Sequence, residues 1–261
     1  MKINTLENKW HEYGIKKNDK LLLHSSFKRT FNELSEQGYN FSPQDILESL
    51  IEAVLPEGTL ILPTFNFEFN ETKKYNYYKT KSKMGIVTEL ARNSTVAKRT
   101  LNPVYSFAVF GNDAYKFDGL NNISWYSKES PFEIIHNENY KIGILDLTER
   151  YSQTFAHYCE EFFQVDWRYY KEFSGDYTDK DNKTSHRTYK GYVRKIEKGV
   201  QTTLDPAGEI LWERGKYFGD RPLENSGFRY IFSQDYFNLF EELFKKKKCN
   251  PNYFKITKSN S

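Results

Sequence analysis

Apolar positions in this chain alternate between short continuous runs and helical stripes. Lys20-Leu21-Leu22-Leu23-His24 is an apolar run of strand length that stops in the polar turn Ser25-Ser26. Thr59-Leu60-Ile61-Leu62-Pro63 repeats the signature and is closed by proline, and residues 106–111 and 140–145 are runs of the same kind. Such runs, about four to eight residues long and bounded by turn formers, mark strands buried on both faces. Between them, apolar residues recur at helical spacing over residues 42–51, 84–92 and 153–163. Ser42 is placed to cap the first of these helices, with Pro43 at its first position. Leu55-Pro56-Glu57-Gly58 reads as the turn that follows. Strands alternating with helices predict a layered α/β/α fold around a mixed central sheet.

The last third has a different texture. Residues 177–190 are polar with little periodicity and predict irregular structure, whereas residues 191–196 alternate like a half-buried strand. Residues 233–244 are aromatic-rich with helical periodicity, and the lysine run 245–248 reads as a solvated helix end, where cations are favoured. The expected organisation is one domain, with a core over about residues 1–175 and an appended aromatic-rich lobe over about 176–261.

Composition narrows the classes open to the chain. Aromatics make up 17% of the 261 residues, which excludes extensive disorder. Mean hydropathy is −0.78, and no apolar run reaches the roughly 18 residues of a membrane span. The opening MKINTLENKWHEYG lacks the apolar region of a secretory signal. The two cysteines, Cys159 and Cys249, cannot build a disulfide framework, so a reducing, cytoplasmic setting is expected. A net charge of +3 is no nucleic-acid signature.

His157 and Glu160 form the strongest chemical pair. In a helix, residues three apart share a face, and a carboxylate beside an imidazole fixes its tautomer and raises its basicity. A general base needs this, although a surface His–Glu pair has the same spacing. Cys159 is two positions from His157, about 200° around a helix, so it is read as a buried, inert thiol rather than a nucleophile. The histidines, His11, His24, His136, His157 and His186, lack any paired metal-ligand spacing, so no metal is expected. His24-Ser25-Ser26 closes a buried strand, where α/β folds bind ligands, and its amides and hydroxyls suit phosphate; a simple turn is the plainer reading.

Several segments together resemble the antibiotic N-acetyltransferase family, which includes the aminoglycoside 3-N-acetyltransferases. In order they are Leu23-His24-Ser25-Ser26, the stretch from Pro56 to Phe65, Ser82-Lys83-Met84-Gly85 with Glu89 and Arg92, and Arg99 with Asn102-Pro103. Residues 106–111, Ser130-Pro131-Phe132, Phe155-Ala156-His157-Tyr158-Cys159-Glu160 and Val165-Asp166-Trp167-Arg168 follow. Beyond residue 168 only Tyr192-Val193-Arg194 is similar. The resemblance implies acetyl-CoA-dependent transfer to a primary amine, with His157 as general base and Glu160 as its partner. It implies that His24, Ser25, Ser26, Phe27, Ser82, Lys83, Met84, Gly85 and Ser106 line the CoA groove. Phe65, Glu68 and Arg168 are expected to face the acceptor. Two segments depart from the family pattern. Lys79-Thr80-Lys81-Ser82-Lys83 stands where antibiotic-modifying members usually carry a proline, and Asp146 and Glu149-Arg150 stand where a glycine-bearing loop is common.

The acceptor is expected to be a small amino-sugar molecule. Lys73, Lys74, Lys79, Lys81 and Lys83 crowd the segment near the expected groove, which suits an anionic acceptor such as a nucleotide-linked amino sugar for surface polysaccharide. Trp125, Tyr126, Trp167 and Tyr169 offer stacking faces, although such aromatics also serve as ordinary packing. An aminoglycoside is the alternative acceptor. A binding module that kept the fold without the activity is the alternative of a different class.

Overall fold

The computed structural model describes residues 2–221 and 227–245. In chain order the elements are α1 (Lys2–Tyr13), β1 (Lys20–Ser25), α2 (Lys28–Glu36), α3 (Pro43–Val54), β2 (Thr59–Pro63), α4 (Phe69–Thr72), β3 (Lys74–Asn76), α5 (Ile86–Asn93), β4 (Lys98–Arg99) and β5 (Phe107–Gly111). Then come α6 (Pro131–Asn137), β6 (Lys141–Leu145), α7 (Glu149–Ser152), α8 (Phe155–Phe162), β7 (Arg168–Thr178), β8 (Thr184–Arg194), α9 (Asp205–Glu213), β9 (Phe218–Gly219), β10 (Phe228–Phe232) and α10 (Ser233–Lys245).

A seven-stranded sheet in the order β4-β5-β2-β1-β6-β10-β9 forms the centre. β1 runs parallel to β2 and β6, whereas β5 and β10 are antiparallel to their neighbours, so the sheet is mixed as expected. Alternation along the strands feeds two cores. Leu21, Leu23, Leu60 and Leu62 point to one face, with Leu6 and Trp10 of α1 and Leu47 and Leu50 of α3. Leu22, Ile61, Ile142 and Ile144 point to the other, with Phe155 and Tyr158 of α8 and Tyr236 and Phe240 of α10. Side chains on a strand alternate faces, so each apolar run supplies both layers at once.

The predicted strands and helices of the first two-thirds form with boundary shifts of up to three residues. Ser42 accepts from the Asp45 amide, and the Asp45 carboxylate accepts from the Ser42 amide, closing a capping box at the start of α3. Among the described residues α1, α2, α4, α6, α7 and α9 were not foreseen. Trp10 anchors the first by donating its indole N–H to Ser49 Oγ of α3 at 2.8 Å.

Residues 177–190 require a correction. They are mostly strand, joining the ends of β7 and β8, which pair from Arg168↔Arg194 to Thr178↔Thr184 in a second sheet with β3. One face buries Phe173, Tyr177 and Tyr189 in the aromatic core, but residues 178–188 contain no apolar side chain, so no period of two marks that stretch in the sequence. Hydroxyl pairs such as Ser174–Thr188 and Thr178–Thr184 line up across the strands instead. Beyond Lys245, the lysine run and Cys249 lie outside the described residues.

The topology puts two segments side by side at the carboxyl edge of the central sheet. Ser25 ends β1 directly opposite Leu145, which ends β6. The turn after β1 therefore lies next to the chain leading into α7 and α8. In open α/β sheets this edge is where ligands bind.

Gly191 sits where the hairpin passes Trp125. A Cβ at this position would lie 2.4 Å from the Trp125 ring. Gly191→Ala is expected to destabilise the fold by about 1–3 kcal/mol, because the indole has to move within a packed core. Thermal unfolding should show a fall in Tm of several degrees; an unchanged Tm would mean that Trp125 moves freely.

Candidate active site

His157 and Glu160 lie one helical turn apart on α8. Nδ1–H of His157 donates to Glu160 Oε2 at 2.8 Å, which leaves Nε2 of the ring for other partners. The Glu160 carboxylate is buried, and three groups hold it. Besides His157, Arg168 Nη2 lies 2.6 Å from Oε2, and the Trp167 indole N–H donates to Oε1 at 3.0 Å. Arg168 is itself fixed from the far side, its Nη1 donating to the Tyr192 carbonyl at 2.8 Å.

These contacts set the protonation states. Burial pushes the Glu160 carboxyl up, but Arg168, His157 and Trp167 outweigh it and hold the group at about 2. His157 is lowered from its ordinary value, first by burial and next by the Arg168 guanidinium, whose Nη2 lies 2.9 Å from Nδ1; the Glu160 contact opposes both. The imidazole is therefore neutral at neutral pH, and a proton acceptor must be neutral before it acts. Its side chain keeps 28% exposure, so it is reachable.

Two cavities bear on the site. One, of about 390 Å³, is lined by His157 and Arg168, by Tyr105, Trp125 and Tyr126, and by Arg150, Tyr151, Thr154 and Arg194. The other, of about 640 Å³, is lined by Ser25, Ser26, Phe27, Lys83, Met84 and Gly85, with Ile46, Val87 and Leu147 adding apolar surface and Lys28 a charge. Tyr151 lines both cavities, and His157 lines the smaller one. Gly85, at φ 113°, opens α5 in a conformation that favours glycine.

Of the residues expected at the CoA groove, Ser25, Ser26, Phe27, Lys83, Met84 and Gly85 line the larger cavity. His24, Ser82 and Ser106 do not. His24 is buried beneath the turn, its Nε2 3.2 Å from Thr154 Oγ1, and burial pushes it down to about 3. Ser82 shapes the loop, its amide donating to Glu89 Oε2 at 2.7 Å and its hydroxyl accepting from the Met84 amide at 3.1 Å. Ser106 is buried against Thr64, hydroxyl to hydroxyl at 2.8 Å.

The expected acceptor residues also change place. Phe65 is buried behind the cavity wall, edge-on to Tyr105 and Phe107. Glu68 is exposed and pairs with Lys83 at 2.7 Å, outside the lining of either cavity. Arg168 does line the smaller cavity, but its guanidinium is engaged by Glu160 and Tyr192. Trp125 and Tyr126 line that cavity, Trp167 supports Glu160, and Tyr169 is exposed on β7 outside it. Cys159 is fully buried, and burial followed by the Glu160 charge pushes its thiol well up. Arg150, Tyr151 and Arg194 were not foreseen as cavity residues. The available signals were Glu149-Arg150 standing in place of a glycine-bearing loop and Arg194 within the similar Tyr192-Val193-Arg194. Among the described residues, no three or more His, Cys, Asp or Glu are grouped to hold a metal ion, and no helix is long and apolar enough to cross a membrane.

The sequence profile of the aminoglycoside 3-N-acetyltransferases matches residues 22–245. The chain belongs to this family. A curated member, the SPbeta prophage-derived aminoglycoside N(3')-acetyltransferase-like protein YokD of Bacillus subtilis (strain 168), is 28% identical; the match covers 53% of this chain and 53% of that protein. The aligned part thus spans about half the length of the curated relative. Among solved structures, AAC-VIa bound to sisomicin superposes with a TM-score of 0.75 at 17% identity, covering 95% of this chain and 98% of that one. AAC-IIIb in its binary complex with CoASH gives 0.74 at 14% identity, covering 94% and 96%. At these identities the superpositions establish that this chain has the same fold as those two proteins.

The buried network predicts an acid sensitivity. Glu160 is held below its ordinary 4.5, so its contribution to stability is complete above about pH 4.5 and is lost as the pH falls toward 2. Glu160→Gln should cost about 3–5 kcal/mol at neutral pH, because Arg168 is left buried without its carboxylate. Urea unfolding from pH 7 to pH 3 should show the steep acid loss in the wild type and a shallower one in the variant. Parallel curves would exclude Glu160 as the source.

Proposed function

We propose that this chain is an acetyl-CoA-dependent N-acetyltransferase that acts on a primary amine of an amino sugar. The carrying observation is a neutral imidazole, oriented by a buried carboxylate, facing a polar cavity that shares Tyr151 with a mostly apolar groove. The groove suits acetyl-CoA. Its apolar stretch fits the pantetheine arm, and Lys28, Lys83 and the Ser25-Ser26 turn fit phosphate oxygens. That a family member of the same fold was solved with CoASH supports this assignment.

The acceptor amine loses a proton to Nε2 of His157, directly or through one water. Its lone pair attacks the thioester carbonyl; the new C–N bond forms, the C–S bond breaks, and the thiolate leaves with the sulfur electrons and takes up a proton. Glu160 holds the ring and stabilises the imidazolium while the proton is on it. Arg168 is a positioning residue, acting through Glu160. The inert Cys159 favours direct transfer over an acyl-enzyme.

For the acceptor, kinship supports an aminoglycoside better than a nucleotide-linked sugar, since relatives carry aminoglycoside names and one is bound to sisomicin. The lysines that suggested a nucleotide-linked sugar mostly lie elsewhere. Of the five between residues 73 and 83, Lys83 alone lines either of these two cavities.

CoA release over a panel of amines tests the reading, and silence with every amine would favour the binding-module alternative. His157→Ala should lower turnover about 100-fold or more while acetyl-CoA still binds. The acid limb of kcat/KM should fall below pH 6.5, the ordinary value from which His157 is lowered. Cys159→Ser should keep most activity. An acetyl adduct on Cys159 in an intact-mass spectrum would overturn direct transfer.

A further inference from the structure

The cavity beside His157 does not stand alone. A second cavity of about 510 Å³ adjoins it, and the two share Arg150, Ile196, Arg194 and Thr202 in their linings. Their one lining carboxylate is Asp205, which accepts from the Thr203 hydroxyl at 3.0 Å. Arg168, the remaining cation, is matched by Glu160. Arg150 and Arg194 pair with no carboxylate among the described residues.

Arg194 is unusual in a second way. It ends β8 directly opposite Arg168 in the antiparallel register. Like charges opposite each other on a sheet destabilise it, and here only one of the two is compensated within the chain. The second charge is also felt at the site, since Arg194 disfavours protonation of His157. A guanidinium placed at such a cost and left open in a cavity is matched to an anion from outside, because arginine forks bind carboxylate and phosphate oxygens in pairs.

We infer that Arg150 and Arg194 form an anion subsite of the acceptor cleft, so that the preferred acceptor is an amino sugar bearing a phosphate or a carboxylate. The inference rests on reading the smaller cavity as the acceptor site. It narrows the acceptor class beyond kinship: a polycationic aminoglycoside meets two guanidiniums without a carboxylate partner there, Arg150 resting 5.7 Å over the Tyr151 ring, and only one carboxylate.

Equilibrium binding tests this without turnover. The protein is titrated by calorimetry with glucosamine, glucosamine 1-phosphate, muramic acid and sisomicin at fixed low salt. At least one of the two anionic sugars should bind about tenfold or more tighter than glucosamine, and which one does so distinguishes phosphate from carboxylate. Arg150→Ala/Arg194→Ala should abolish the preference, and Arg150→Lys/Arg194→Lys should retain part of it. The acetyl-CoA affinity of the alanine variant should equal that of the wild type, since neither arginine lines the larger cavity. Equal affinities for all three sugars, or tighter binding of sisomicin than of either anionic sugar, would overturn the subsite. Loss of acetyl-CoA binding in the alanine variant would also overturn it, assigning the arginines to CoA phosphates. Failure of acetyl transfer with every amine would instead sink the proposed function, because the binding preference is read separately.

Discussion

The buried carboxylate of Glu160 is the contact on which the rest of the site depends. It lies on α8, and it is held by Trp167 and Arg168 from the chain entering β7, with Arg168 tied onward to the Tyr192 carbonyl of β8. One ionised group thus joins the helix that carries His157 to the hairpin that walls the cavity. An unpaired carboxylate could not remain charged at this depth; the indole, guanidinium and imidazole together make the charged form the stable one. The same charge orients the imidazole, so stability and the proposed chemistry draw on one group.

The fold delivers this helix to a useful place through the order of its strands. β1 and β6 are parallel neighbours, and both release their chains at the same edge of the sheet. One exit forms the Ser25–Phe27 wall of the larger cavity. The other runs through α7, where Arg150 and Tyr151 reach the smaller cavity, and then into α8. A cosubstrate held along the first exit and an amine held against the second would meet beside Tyr151.

Local charge, rather than net charge, describes the cleft beside His157. The basic segment between residues 73 and 83 is prominent in the sequence, but its lysines are mostly exposed away from the cavities, and Lys83 is paired with Glu68. The arginines that do face the cleft stand about 44 residues apart in the chain, one in a four-residue helix and one at the end of a strand. Spacing cannot reveal such a pair, because only the packing of the hairpin against the α7 segment brings both to one cavity.

The sequence alone was enough for the central strands, since the runs at Leu21–Leu23 and Leu60–Leu62 are apolar on both faces and allow no other burial. It was also enough for the α8 pair, because three residues is less than one helical turn and His157 and Glu160 meet wherever that helix forms. The tip of the β7–β8 hairpin escaped detection because residues 178–188 carry no apolar side chain, and this stretch is held by pairing across the hairpin rather than by a local apolar pattern. His24, Phe65 and Ser106 sit in segments that resemble the family, but the depth at which each side chain lies was decided by the layers packed over it. Tertiary structure alone decided that Trp167 and Arg168 close over Glu160 and that Arg150 and Arg194 share a cavity. The physical reason is the same throughout: backbone periodicity is local and can be read along the chain, whereas burial and charge pairing depend on which distant segments are packed together.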